Sequence, residues 1–221
     1  MIKIIEKSTI ELSEEFVVVA TDVGISKKAR DFAARLSSPL AIIEKRRSDN
    51  SGNVELLNVI GDVKGKTALI TGASKGIGAG LAKVLAAEGC NLHLSARDGT
   101  AMQVLADKLT SSFDISVKVH EADLSSSKSM HELDTAAGEY DILLNNAGDI
   151  PAGDIEEVSD EAIRKGFDLK VFGYITLSRS FMIRRKGKSG VIVNIIGNSG
   201  ENWDAAYFAG STGNAALMSL T

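Results

Sequence analysis

Thr67-Ala-Leu-Ile-Thr71-Gly72-Ala-Ser74-Lys75-Gly76-Ile77-Gly78 is the stretch on which the fold turns. Thr67 to Thr71 has the composition of a short buried strand, and Ala79 to Ala87 has the apolar spacing of a helix. The glycines therefore fall at a strand-to-helix elbow. Each has a physical task there: Gly72 makes the sharp turn, Gly76 lets the backbone approach a pyrophosphate, and Gly78 lets helix and strand pack closely. The free N–H groups and partial positive charge of the helix start favour an anion. Ser74, Lys75 and Ile77 complete the loop, and the ligand it predicts is a dinucleotide.

Downstream, strand-like runs alternate with helical stretches, the pattern of an α/β fold with a parallel sheet and crossover helices. A second strand, Asn91 to Ser95, ends in Ala96-Arg97-Asp98, about where dinucleotide folds keep an acid for the ribose hydroxyls. The first of those positions holds no acid. Arg97 offers a planar donor fork to a 2′-phosphate instead, and Lys75 adds a positive charge on the same side, so NADP (NADPH) is expected over NAD. A third strand runs through Val117-Lys-Val-His-Glu-Ala-Asp123-Leu124. A fourth, Asp141-Ile-Leu-Leu-Asn145, opens into Asn146-Ala147-Gly148.

With Thr71 to Gly78, these two segments give residues 66–221 a resemblance to short-chain dehydrogenases/reductases. The resemblance implies a Rossmann-like, doubly wound parallel sheet. It also implies that Asp123 contacts the adenine amine and that Asn145, Ala147 and Gly148 support the central sheet beside the cofactor ribose. The implied substrate is a small carbonyl or alcohol. In that family a tyrosine is the general acid/base, a lysine four residues later lowers its pKa, a serine orients the carbonyl, and an asparagine on the preceding long helix holds a relay water. A phenol works at neutral pH only when a nearby positive charge stabilises its anion.

Tyr207 stands at the tyrosine position, after a fifth strand, Val191 to Ile195. The other three slots depart from the family: Ser211 takes the lysine place, Gly197 the serine place and Lys170 the asparagine place. A relocated triad of Tyr207, Lys170 and Ser199 is one expectation, the amine of Lys170 filling the room beside Ser211. The alternative makes Lys170 a snorkelling side chain and Tyr207 a packed aromatic, in a domain that only binds NADP; Trp203, near the expected active-site loop, is read either as lining a substrate pocket or as ordinary packing. The family pattern continues past Thr221 into a nicotinamide pocket and lid, so this chain reads as truncated and incomplete at its C-terminus. An exposed sheet edge predicts self-association, a homo-oligomer or dependence on a partner.

Residues 1–65 read differently. Phe16 to Ala20 has strand character, Thr21 to Gly24 a turn, Ser26 to Leu36 a helix, and Pro39 to Glu44 a second strand, together one β-α-β unit. Lys45 to Asn53 is expected as a surface loop, and Val54 to Val63 resumes a strand. Val17-Val-Val-Ala-Thr-Asp22-Val-Gly24, Lys27 to Phe32, Pro39 to Arg47 and Asn58 to Val63 resemble the C-terminal domain of ribose-phosphate pyrophosphokinase. The resemblance implies a partial phosphoribosyltransferase-like segment, with Lys45 to Arg47 on the loop that closes over ATP phosphates and Asp22 near metal and nucleotide. A plain solvated loop is the other reading of those three cations. Thr71-Gly72-Ala73-Ser74 replaces the later acidic loop that would cradle the ribose phosphate. The switch lies within Asp62-Val-Lys-Gly-Lys66, the expected junction of two fused gene fragments.

The net charge of −4 is spread without a broad basic face, which excludes nucleic acid as the expected partner. No apolar run approaches the roughly 20 residues of a membrane span, and Met1 to Lys7 lacks the pattern of a signal peptide. The single cysteine, Cys90, is expected in a packing role, and the cytoplasm is the expected compartment. His93, His120 and His131 lie too scattered to suggest a metal. Three readings result: an NADP-dependent oxidoreductase, a pyrophosphokinase-type fragment, or a nucleotide-binding relic without chemistry.

Overall fold

In a computed structural model of the chain, the described residues are 63–221 together with the backbone of three strands in the first 62. Those strands are β1 (Val18–Ala20), β2 (Leu40–Arg47) and β3 (Val54–Val59). β1 pairs parallel with β2, as a crossover unit requires, and β2 pairs antiparallel with β3. Lys45, Arg46 and Arg47 belong to β2, opposite Leu56, Glu55 and Val54, with a register shift between Glu44 and Lys45. They are therefore not part of a surface loop. A hairpin partner rich in Val and Leu carries the ladder past the point where polarity suggests a break. The expected turn and helix from Thr21 to Leu36, Asp22 among them, and Ser48 to Asn53 lie outside the described residues.

The larger unit is a five-stranded parallel sheet: β4 (Thr67–Thr71), β5 (Asn91–Ala96), β6 (Val117–Glu121), β7 (Ile142–Asn145) and β8 (Val191–Asn194). Their order is β6-β5-β4-β7-β8. The chain winds outward one way from β4, returns, and winds the other way, so two neighbouring strands leave a crevice at their carboxyl ends. β4 is central because Ala68 to Thr71 are all buried, which only a strand covered on both faces achieves.

The helices are α1 (Gly76–Ala87), α2 (Gly99–Ser112), α3 (Ser127–Ala137), α4 (Asp160–Phe167), α5 (Gly173–Arg184) and α6 (Phe208–Leu220). A π turn, Asp168–Phe172, joins α4 to α5. Side-chain oxygens start three of them: Asp98, Ser126 and Ser159 accept from the backbone N–H of Ala101, Ser129 and Ala162. α1 and α2 cover one face of the sheet, where Ala68, Ile70, Leu81, Leu85, Leu92, Leu94 and Met102 form the core. On the other face Leu69 and Leu143 pack with Leu133 of α3, Leu177 and Phe181 of α5, and Tyr140. Arg184 ties α5 to α3 through an ion pair with Asp134 at 2.6 Å. Among the described residues no helix is long and apolar enough to cross a membrane.

Strand alternation turns His93 away from Leu92 and Leu94, onto the sheet face opposite α1 and α2. There its Nδ1 lies 2.9 Å from His120 Nε2, with the two rings stacked. A pair 27 positions apart in the chain becomes one hydrogen-bonded unit because β5 and β6 are neighbours. Burial, then His120 and Lys118, push the His93 pKa from 6.5 down to about 4. Cys90 is buried as expected, and its thiol is pushed up to about 12 by burial and by Asp141.

A histidine with a lowered folded-state pKa adds no penalty above its unfolded value, and destabilises as pH falls and only the unfolded chain gains the proton. Thermal unfolding followed from pH 7 downward should show stability falling between about 6.5 and about 4, by at most on the order of 3 kcal/mol. His93→Gln, which keeps a hydrogen-bonding group and does not titrate, should flatten that slope.

Candidate functional site

The elbow after β4 is held by two side chains. Thr71 Oγ1 donates to the Leu144 carbonyl at 3.3 Å and accepts from the N–H groups of Asn146 and Ala147 at 2.9 and 3.0 Å. Asn146 Nδ2 donates back to the carbonyls of Thr71 and Gly72 at 3.0 and 3.2 Å. The loop after β7 is thereby clamped to the loop after β4. Gly72 sits at φ +66° and Gly76 at φ +55°, conformations that favour glycine. A Cβ on Gly78 would stand 2.2 Å from the Gly72 carbonyl oxygen, so helix and loop meet there with no room for a side chain.

α1 begins at the end of this loop with no side-chain cap, unlike α2, α3 and α4, and with no acidic residue in its first turn. It starts beside an exposed Lys75 and Gly76, with Ser74 and Ile77 half-buried. An anion supplies what this helix start lacks. The residues present thus fit the pyrophosphate of a dinucleotide.

At the end of β5, Asp98 is engaged in capping α2 through the Ala101 N–H, and Arg97 precedes it with its side chain mostly exposed. Arg97 lies 3.6 Å from Asp149 with both side chains mostly exposed, a pairing of little energy that a phosphate can displace. Asp123, just past β6, accepts from the Ser125 N–H at 3.0 Å and Oγ at 2.8 Å, which holds its carboxyl below the usual range. Asn145 is wholly buried and donates to Ser178 and Asn194, so its action is to join β7 to α5 and β8.

Lys170 sits on the π turn, a local unwinding of the kind frequent at functional sites. Its side chain crosses Gly148, where a Cβ would come within 2.9 Å of Lys170 Cδ. Its Nζ donates to Asn214 Oδ1 at 2.9 Å, and Asn214 Nδ2 donates to Ser199 Oγ at 2.9 Å. Lys170 and Ser199 are thus brought together through a third residue. Burial lowers the Lys170 pKa. Tyr207 is placed apart: among the described residues no hydrogen bond joins its hydroxyl to Lys170 or Ser199. Its ring lies against Gly210, where a Cβ would stand 2.0 Å from the ring. Burial, then Asp149, raise its pKa above the usual phenol value. Ser211 is buried, its Oγ accepting from the Asp204 N–H.

One site residue escaped the sequence reading, Asn214, and the clamp that Asn146 makes on the glycine loop was not foreseen. Asn214 follows Tyr207 by seven positions, two helical turns on the same side, and that periodicity is the signal that would have found it. Trp203 is 85% exposed rather than packed, because the loop before Tyr207 holds its ring away from the core. Gly210→Ala should push the Tyr207 ring off the helix. Nitration by tetranitromethane, read by peptide mass spectrometry, should then rise severalfold at Tyr207 relative to the buried Tyr140 and Tyr174.

Residues 66–221 match the sequence model of the short chain dehydrogenase family. An uncharacterized oxidoreductase of Methylorubrum extorquens is 35% identical over 138 residues, 60% of this chain and 55% of that protein. The chain thus spans little more than half the length of that relative. A short-chain dehydrogenase from Sphingobium yanoikuyae, solved in complex with NADPH, superposes with a TM-score of 0.67 at 30% identity, over 70% of this chain and 63% of that one. A ribose-phosphate pyrophosphokinase of Thermosipho africanus is 53% identical over 60 residues, 27% of this chain and 18% of that protein.

Proposed function

The chain belongs to the short chain dehydrogenase family, and from that premise we propose that it binds NADP and reduces a small carbonyl compound, or oxidises the corresponding alcohol. The observation that carries the reading is the uncapped start of α1 behind a glycine loop clamped by Thr71 and Asn146. Gly72, Ser74, Lys75, Gly76, Ile77 and Gly78 would take the pyrophosphate. Asp123 would take the adenine amine with the carboxylate oxygen that Ser125 leaves free, and Ala147 and Gly148 would line the ribose. Arg97 and Lys75 would take the 2′-phosphate. Asp98 and Asp149 do not oppose this, since one caps α2 and the other forms an exposed pair that opens at little cost.

When bound, the cofactor supplies a hydride. The proton comes from the chain. Burial and Asp149 hold the Tyr207 phenol above its usual pKa, so it is protonated but a weaker acid than a free phenol, and it would give up its proton only to a carbonyl oxygen on which negative charge develops. Ser199 orients the carbonyl oxygen by hydrogen bonding, and Lys170, whose side chain crosses Gly148, adds positive charge on the cofactor side of the cluster.

Fluorescence titration should show NADPH bound at least about tenfold more tightly than NADH. Arg97→Asp should remove that difference by weakening NADPH alone, and equal affinities in the unaltered chain would overturn the NADP assignment. With 2,3-butanedione as the carbonyl probe, Lys170→Met should abolish oxidation of NADPH while the cofactor still binds; unchanged turnover would exclude Lys170 from the chemistry. NADPH binding with no turnover in the unaltered chain would support the relic reading.

Residues 1–65 are a fragment of the ribose-phosphate pyrophosphokinase type joined to this domain within Asp62 to Lys66. The 53% identity confined to 60 residues supports that reading. Single-molecule reads of the source DNA across the junction should retain the join, and its loss from every read would refute a fused gene.

A further inference from the structure

Asn214 is 1% exposed, in the second turn of α6, and every polar atom of its side chain is engaged. Its Oδ1 accepts from Lys170 Nζ at 2.9 Å and from the Gly197 N–H at 3.0 Å, and its Nδ2 donates to Ser199 Oγ at 2.9 Å. The orientation of the amide follows from its neighbours. A backbone N–H can only donate, and so can a lysine ammonium, so the oxygen must face both and the NH2 must face the serine. The local chain is shaped to admit it. A Cβ on Gly197 would stand 2.7 Å from Asn214 Nδ2, so any other residue there would displace the amide.

This arrangement has a directional consequence. A serine hydroxyl has one hydrogen to give. Because Ser199 Oγ already accepts from Asn214, its own hydrogen is free to point elsewhere, toward a carbonyl oxygen. The amide oxygen accepts one N–H of the Lys170 amine and leaves its other hydrogens free. Among the described residues Lys170 forms no ion pair, so a neutral amide oxygen is the group that offsets its burial.

We propose that Asn214 is the positioning residue of the relocated cluster, a buried amide that holds the Lys170 amine in place and turns Ser199 into a hydrogen-bond donor toward substrate. The role in catalysis rests on the oxidoreductase reading above; the positioning itself is a property of the chain without cofactor or substrate.

Competitive acetylation with acetic anhydride, followed across pH by peptide mass spectrometry on the whole chain without NADPH, reads the titration midpoint of Lys170 directly. Asn214→Asp places a carboxylate where the amide oxygen was and should raise that midpoint by at least about one unit, a tenfold drop in amine reactivity at fixed pH. Asn214→Ala removes the acceptor and should lower the midpoint, and it carries the test if the Asp variant does not fold. A purely structural role would leave Lys170 titrating as before, and identical midpoints in the unaltered chain and the folded variants would overturn the proposal. Failure of NADPH to bind the unaltered chain would instead remove the oxidoreductase reading and leave the acetylation result standing.

Discussion

The carbonyl of Gly72 lies where a side chain at residue 78 would have to be, and the rest of the site depends on that contact. It draws the first turn of α1 close against the end of β4, and the residue before that turn, Lys75, has no side-chain acceptor with which to cap it. Thr71 and Asn146 make the contact durable, because each bridges the loops after β4 and β7 with more than one hydrogen bond. A site built this way is organised before any ligand arrives, so little ordering entropy is left to be lost on binding.

The second half of the site follows a different logic. In the family the chain resembles, a cation and a phenol share a helix, and the cation activates the phenol. Here a lysine, Lys170, stands on the π turn between α4 and α5, and a buried asparagine stands on α6, two turns beyond Tyr207. The exchange keeps a lysine and an amide in one cluster while reversing the elements that carry them. It also separates the tyrosine from the lysine as hydrogen-bonding partners, and its environment favours the neutral phenol. A proton-donating role is consistent with that state. A phenolate base would require the opposite shift.

Neighbouring charges are arranged so that they do not defeat the proposed phosphate site. Asp98 is engaged in a helix cap and Asp123 in a turn with Ser125, while Asp149 holds Arg97 by a solvent-screened contact. The loop carrying Asp149 also carries Gly148, over which Lys170 passes. One short segment thus borders both the nucleotide crevice and the cluster around Asn214.

Much of this was legible in the residues themselves. The strand, glycine loop and helix from Thr67 to Ala87 could be read because their determinants are local: apolar alternation, a helical repeat, and glycines where φ is positive or a Cβ has no room. Arg97 at the end of β5 is likewise visible at a fixed distance along the chain. Lys45 to Arg47 misled because polarity is a weaker local signal than the pairing of a neighbouring strand. What only the tertiary structure decided are the contacts between distant residues: Asn146 with Thr71 across 75 positions, Lys170 with Asn214 across 44, and His93 with His120 across 27. No spacing rule predicts those meetings. They are set by which strands become neighbours and how the helices lie on them, and the physical cause is burial of apolar surface summed over the whole sheet.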